Sequence, residues 1–454
     1  MKNILIIAYY YPPKGGAGVQ RVSKFAKYLS KEGYNVSVLT VKEEASGIVD
    51  KSLKRDINGS IKVYRTYIKE VNVLEKLLSF RREGSSSKDN DTKDSTVAIQ
   101  VPTKLSKFKS KLIQIAKKIF LQYYNLINIP DDKKGWIKYA VTEGSKIIEN
   151  DKIDMIISSS APYSCHIIAE KLSKKYNIKW IADFRDPWVS NAFADHGTFL
   201  KVIYKYFEKK IVKNSDRIIS VSKPIINDFI NRYPEENKNK FIVIPNGYDE
   251  DDFTNLDLAN RKNQDRLIIL YNGTLYGIES PESLLKALDK LIKEGKIDKN
   301  KILFKFTGNV GYEQQKILDK YEAKYRGIIE QKKYLPHSES IKQFSDCDAL
   351  LLILSDMKGV EGIYTGKLFE YIRAGKPIIG IVPDGVAKEL ILETNTGYVA
   401  HPSDLGEIEK VLYKVYNNYI NHVNPISPNW EQVKKYSREN LTKELIRVMS
   451  EIKD

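Results

Sequence analysis

Short apolar runs separated by segments of helical period fill this chain, and partway along it the alternation stops and begins again. In the first part the runs are NILIIAY (3–9), NVSVLTV (35–41), DMIISSS (154–160), KWIADF (179–184), RIISVS (217–222) and FIVIP (241–245). In the second they are LIILYNG (267–273), ILFKFTG (302–308), ALLLILS (349–355) and PIIGIV (377–382). A short run of this kind, bounded by turn residues, reads as a strand covered on both faces. Such strands pair in parallel and need a crossover, usually a helix, between neighbours. The pattern predicts an α/β chain of two Rossmann-like, doubly wound domains. Ligands of such sheets bind beyond the carboxyl ends of the strands, so two of them facing each other place their strand-end loops across a shared cleft.

Punctuation sets the boundaries. The stretch 245–265 loses its apolar periodicity and fills with Asn, Asp and Gly, so the first domain is predicted over 1–250, a linker over 251–265 and a second domain over 266–425. After NPISP (424–428) the last segment, 426–454, regains helical period and is expected to cross back to the first domain. Polar, serine-rich sequence over about 81–98 cannot bury enough surface to order itself and reads as a disordered insertion. Behind it, 104–127 sets Leu105, Phe108, Leu112, Ile115, Ile119 and Tyr123 on one helical stripe with lysines mostly off it. Two readings of that basic helix stay open: one that packs on the core, and one that lies on an anionic membrane surface.

Composition narrows the class. A chain of 454 residues exceeds what one hydrophobic core supports, in keeping with two domains. The longest apolar stretches, such as ALLLIL (349–354), fall well short of the roughly 20 residues of a membrane-spanning helix. The opening apolar run breaks at Pro12-Pro13 and reads as a buried strand, not as a signal peptide. Two cysteines, Cys165 and Cys347, stand far apart without CxxC spacing, which argues against a disulfide framework or a thiolate metal site and fits a cytoplasmic protein. The net charge of +16 predicts anionic partners. Lysines are scattered and no RNA-binding aromatic signature accompanies them, so nucleic acid is not expected.

The most informative stretch is TGKLFEYIRAGKPII (365–379). Thr365 is placed to cap a short helix that follows a strand, Lys367 lies in its first turn, and Gly375 before Pro377 stops it. A helix amino end there favours an anion, and Lys367 adds a full charge. Glu370 shares the face of Lys367 one turn deeper, where a carboxylate accepts hydrogen bonds from sugar hydroxyls. The plain alternative is an exposed i,i+3 ion pair. Gly15, Gly16 and Gly18 in PPKGGAGVQR sit between the first strand and a helix, where backbone can approach a phosphate closely. They do not form the dinucleotide fingerprint, and no P-loop lysine follows. In IADFRDPW, Asp183 and Arg185 mark the end of a strand facing the cleft, with the competing reading that the arginine ties Asp183 and Asp186 into a structural network. His166 lies in a helix after SSSAPYSC. The DCD at 346–348 precedes a buried strand, at the wrong end for the cleft, and no metal is expected there.

Taken in order, YYPPKGGAGVQR, SSSAPYSCHIIAEKL, IADFRDPW, VIPNGYD, NGTLYG and GKLFEYIRAGKPII resemble the retaining glycosyltransferases of family 4, over nearly the whole chain. The resemblance implies the GT-B fold and transfer of a sugar from a nucleotide-diphosphate donor to a glycan or lipid-linked glycan, in cell-surface polysaccharide biosynthesis. The nucleotide-sugar is a co-substrate, with no other cofactor and no metal. It further implies that Glu370 binds the ribose, that His166 lies near the sugar, and that His337 lines the base-binding side. Asp183 and Arg185 would position acceptor or sugar, and Gly273, Thr274 and Gly308 at strand ends would join the donor-binding set. The family's earlier glutamate falls on Gly362, with Glu361 adjacent. Backbone N–H groups of Gly362, Ile363, Tyr364 and Thr365 are then expected to hold donor sugar and phosphate. Thr274 and Ile278 stand where the family has an arginine and a lysine, which leaves Lys367 more of the diphosphate charge. The expected location is cytoplasmic, peripheral on the membrane if 104–127 docks there. Alternatives are a catalytically silent nucleotide-sugar or glycan binder, a nucleotide-sugar epimerase and a phosphorylase.

Overall fold

The computed structural model describes residues 2–42, 49–57, 59–69, 125–191, 197–258, 265–277, 279–423 and 426–452. The insertion expected over 81–98, the amphipathic helix except for 125–127, and Ile278 lie outside them.

Two sheets organise the chain, each parallel throughout. The first comprises β1 (Asn3–Ile7), β2 (Asn35–Val41), β3 (Ile61–Thr66), β4 (Met155–Ser160), β5 (Lys179–Phe184), β6 (Arg217–Ser220) and β7 (Phe241–Val243), in the order β3-β2-β1-β4-β5-β6-β7. The second comprises β8 (Leu267–Asn272), β9 (Ile302–Thr307), β10 (Ile329–Lys332), β11 (Ala349–Ile353), β12 (Ile378–Ile381) and β13 (Gly397–Ala400), in the order β10-β9-β8-β11-β12-β13. The central strands β1, β4, β8 and β11 are almost wholly buried, which is why their sequences are unbroken apolar runs. In each sheet the order reverses beside the first strand, between β1 and β4 and between β8 and β11. Those switch points are where loops part and leave room for a ligand.

Helices cover both faces. The helix Ala17–Lys31 buries Val19, Val22, Phe25, Ala26 and Leu29, the i, i+3, i+4 set expected of a core-facing stripe. It also buries Arg21, Lys24 and Lys27, which meet carboxylates instead of water. Its outer face meets the terminal helix Arg438–Ser450, whose Leu441, Leu445, Val448 and Met449 join the core on that side of the first sheet.

The chain passes between the two sheets twice, and the two crossings lie side by side. Tyr248 N–H donates to the carbonyl of Tyr436 at 3.1 Å, and Arg438 N–H donates to the carbonyl of Tyr248 at 2.7 Å. Gly247 is required at this point, since a Cβ there would meet the Tyr436 carbonyl oxygen at 2.1 Å. Among the described residues no helix is long and apolar enough to cross a membrane.

Candidate functional site

The carboxyl ends of the two sheets enclose a cavity of about 520 Å³. Gly16, Gly18, Arg185 and Asp186 line it from the first domain, and Gly273, Thr274, Thr365, Lys367 and Glu370 from the second.

Lys367 sits in the first turn of the helix Gly366–Ala374, which Thr365 opens in extended geometry and Gly375 closes at a φ of 65°. Its stem is partly exposed, but its Nζ is enclosed and has no hydrogen-bond partner among the described residues. It lies 3.8 Å from the centre of the Tyr271 ring and 3.3 Å from where a Cβ on Gly273 would stand. Burial pulls its pKa down to about 8, partly opposed by Glu279. Glu279 itself accepts a hydrogen bond from the Tyr271 hydroxyl at 3.1 Å. The Thr365 hydroxyl is likewise buried without a partner. An ammonium and a hydroxyl, both without a hydrogen-bond partner among the described residues, thus meet at the start of a helix, as an anion site requires.

Lys367 and Glu370 do not form the exposed ion pair that their spacing also allowed. Glu370 instead meets His337 Nε2 at 2.8 Å. His337 is wedged there: Asp252 lies 4.0 Å from its Nδ1, and its backbone N–H donates to Asp50 of the first domain at 2.8 Å. Burial alone would lower the His337 pKa, but Glu370 and Asp252 carry it above the ordinary value.

The loop before Thr365 closes towards the first domain. The Ser222 hydroxyl donates to the Gly362 carbonyl at 2.7 Å, and Gly362, Ile363, Tyr364 and Thr365 all line the cavity. Glu361 does not replace the absent glutamate, because its carboxylate turns back to accept the Gly359 N–H at 2.6 Å. Gly273 and Gly308 hold φ of 136° and 131°, and a Cβ on Gly308 would meet the Gly273 carbonyl oxygen at 2.2 Å. Gly308 therefore supports the Gly273 loop from behind without lining the cavity, and Gly15 does not line it either.

Two residues expected at the reaction centre belong beneath it. Asp183 is fully buried, receives Arg21 Nε at 2.9 Å and Nη2 at 2.8 Å, and accepts the Ser159 hydroxyl at 2.7 Å. Its charge is already matched, so it braces the floor and does not line the cavity. His166 is also fully buried, bonded through Nδ1 to Ser158 at 2.8 Å and packed on Phe184 at 4.4 Å between ring centres. Burial drops its pKa to about 3, leaving it neutral and out of reach of a substrate in the cavity. Arg185 does line the cavity, and it binds Asp186 through Nε and Nη2 at 3.0 and 2.8 Å. It does not tie Asp183 to Asp186, because Arg21 takes Asp183. Gly18 makes room for it, since a Cβ there would fall 2.4 Å from Arg185 Nη1. In the DCD stretch, Asp348 accepts the Ile268 N–H at 2.7 Å, a structural bond at the amino end of β8.

Sequence reasoning missed Arg21, Glu279 and Arg438. Arg21 had a signal, since it follows the glycine-rich loop directly. Nothing local marks Glu279 or Arg438, whose places depend on how distant segments meet.

Two parallel sheets that share one cleft and are joined by a double crossing define the GT-B fold, and the two glycosyltransferase family models that cover 120–438 between them make this chain a glycosyltransferase of that type that resembles family 4. The family model Glycosyltransferase Family 4 matches residues 120–252, and the model Glycosyl transferases group 1 matches 252–438. They meet at the linker: the first takes in β4–β7 of the first sheet, and the second takes in the whole of the second sheet. No curated protein matches the chain in sequence. Among solved structures it is similar to sucrose-phosphate synthase from Thermosynechococcus elongatus, with a TM-score of 0.62 at 12% identity over 99% of this chain and 98% of that one. It is also similar to Anabaena HepE in complex with UDP, at 0.60 and 13% over 99% and 100% of the two chains. A third likeness is the lipopolysaccharide outer core galactosyltransferase WaaB, at 0.56 and 13% over 99% of each. At such identities the likeness is one of fold.

Proposed function

We propose that this protein is a retaining glycosyltransferase that moves a sugar from a nucleotide-diphosphate donor to a glycan or lipid-linked glycan in cell-surface polysaccharide assembly. The observation that carries the reading is the enclosed Lys367 ammonium, which has no hydrogen-bond partner among the described residues, beside the start of the helix Gly366–Ala374. Two of the similar structures lend it chemistry: HepE is described with UDP and with UDP-glucose, and WaaB is a galactosyltransferase.

On this reading the diphosphate lies against the helix start, and Lys367 stabilises the charge that grows on the leaving group as the glycosidic bond breaks. Ribose hydroxyls meet Glu370 and displace or share its bond to His337. The acceptor enters along Arg185 and Asp186, and its hydroxyl attacks the anomeric carbon from the face the leaving group departs, passing its proton to the departing phosphate oxygen, which keeps the anomeric configuration. Most of the rate comes from holding the partners together in a closed cleft. Docking of 104–127 on an anionic leaflet would bring a lipid-linked acceptor within reach, and binding to anionic vesicles with and without that segment tests it.

A thermal-shift panel of nucleotide-diphosphate sugars identifies the donor, since a ligand at 100 times its Kd adds about 2.7 kcal/mol. With that donor and an acceptor, Lys367→Ala should cut transfer by about 10²-fold, the scale for losing one charge-stabilising donor. Unchanged turnover in a folded variant rejects the role. A second reading has its own observation, the absence of a carboxylate where Glu361 turns away from the cavity: a binder without turnover. Tight donor binding with no transfer product would establish it, and interconversion of the donor without acceptor would mark an epimerase.

A further inference from the structure

A second cation in the cleft stands without a hydrogen-bonded counter-ion among the described residues, and it is carried by the helix Arg438–Ser450, not by the helix Gly366–Ala374. Arg438 begins the helix Arg438–Ser450 just beyond the second crossing, is 4% exposed and lines the cavity. Among the described residues its guanidinium makes no hydrogen bond or ion pair, and its Nη1 is fully enclosed. Its electrostatic neighbours are Arg21, Asp249, Glu370 and Asp183. Each of the three carboxylates is already taken. Asp183 holds Arg21 at 2.8 Å, and Glu370 faces His337 at 2.8 Å. Asp249 receives Lys24 at 2.7 Å, Lys27 at 2.5 Å and the Tyr28 hydroxyl at 2.6 Å. Arg21 adds repulsion. Burial, with Arg21 next, pulls the Arg438 pKa down to about 9, so the charge persists at pH 7.

A buried charge without a partner is unfavourable, and natural interiors pair it or bring it a ligand. A guanidinium offers a planar fork of donors that fits a carboxylate or a phosphate through two parallel bonds. We propose that Arg438 is an anion-binding residue of the substrate cleft, receiving a carboxylate or phosphate group other than the donor's diphosphate. That group belongs either to the acceptor, as an acidic or phosphorylated sugar, or to the transferred sugar, as a uronate. The identity of the group rests on the glycosyltransferase reading above; the anion site itself does not. Arg438 also lies on the terminal helix, so an anion bound there ties the C-terminal segment to the cleft.

Inorganic phosphate is the first probe, titrated against the full chain by calorimetry and thermal shift in a Lys367→Ala background, which removes the ammonium at the other anion site. Adding Arg438→Gln should weaken the remaining phosphate binding about tenfold or more, the scale of losing a charge-assisted bond. Without ligand that variant should melt no lower than its parent, because it removes an uncompensated charge. Arg438→Lys should restore part of the affinity. In otherwise wild-type protein, Arg438→Gln should leave UDP affinity within about threefold, whereas Lys367→Ala lowers it; loss of both effects would indict the donor reading separately. UDP-glucuronate against UDP-glucose, and acidic against neutral acceptor glycans, decide which substrate carries the group. Unchanged phosphate affinity in Arg438→Gln overturns the proposal. So does a lower melting temperature with an unaltered phosphate response, which would make the guanidinium a structural prop.

Discussion

Lys367 is held where its charge is costly until an anion arrives. Burial sets its pKa at about 8 against an ordinary 10.5, so between those values the unfolded chain binds a proton that the folded lysine does not. The folded state therefore gains stability from this residue as pH rises through that window, and below about pH 8 it carries the full burden of the buried charge. Diphosphate binding runs the other way, because only the ammonium attracts it. UDP affinity measured by calorimetry should stay flat from about pH 7 to 8 and then fall with rising pH, and Lys367→Ala should be weaker throughout and lack that fall. A wild-type profile level up to pH 10 would show that the ammonium does not meet the diphosphate. The sequence announced Lys367 and Glu370 through their place at a helix start. It could not show that Glu370 turns to His337, nor that Asp183 turns to Arg21, because those partners come from segments brought together only by the fold.

At the scale of elements, the legible parts were those with a single period. All the uninterrupted apolar runs became strands. The three strands that were not foreseen, β3, β10 and β13, lie at sheet edges, where one side faces water and the sequences IKVYRT, IEQK and GYVA lose the buried signature. Loop shape was legible only through glycine. Gly308 shows why: its φ of 131° and its contact with the Gly273 carbonyl leave no place for a side chain. Gly308→Ala should cost about 1–3 kcal/mol in denaturant melts, the scale for forcing a side chain into such backbone, and should also weaken donor binding by moving the Gly273 loop. A loss below about 0.5 kcal/mol would mean that the two loops shift apart freely.

At the scale of the molecule, the terminal helix makes the first domain depend on the last residues of the chain. Leu445 is fully buried in the core of the first sheet, so Leu445→Ala should destabilise that domain by about 2–5 kcal/mol in denaturant melts. Retention of full stability would place the helix outside the cooperative unit. The side-by-side crossings at Tyr248 and Ser437 have a mechanical meaning as well. Two lengths of backbone tied to each other by N–H···O bonds behave as one strap. The halves can pivot about it by turning a few torsions, whereas sliding past one another would tear the strap apart. Capture and release of a ligand then become a matter of swing, with the Ser222–Gly362 and His337–Asp50 bonds across the cleft broken as it opens.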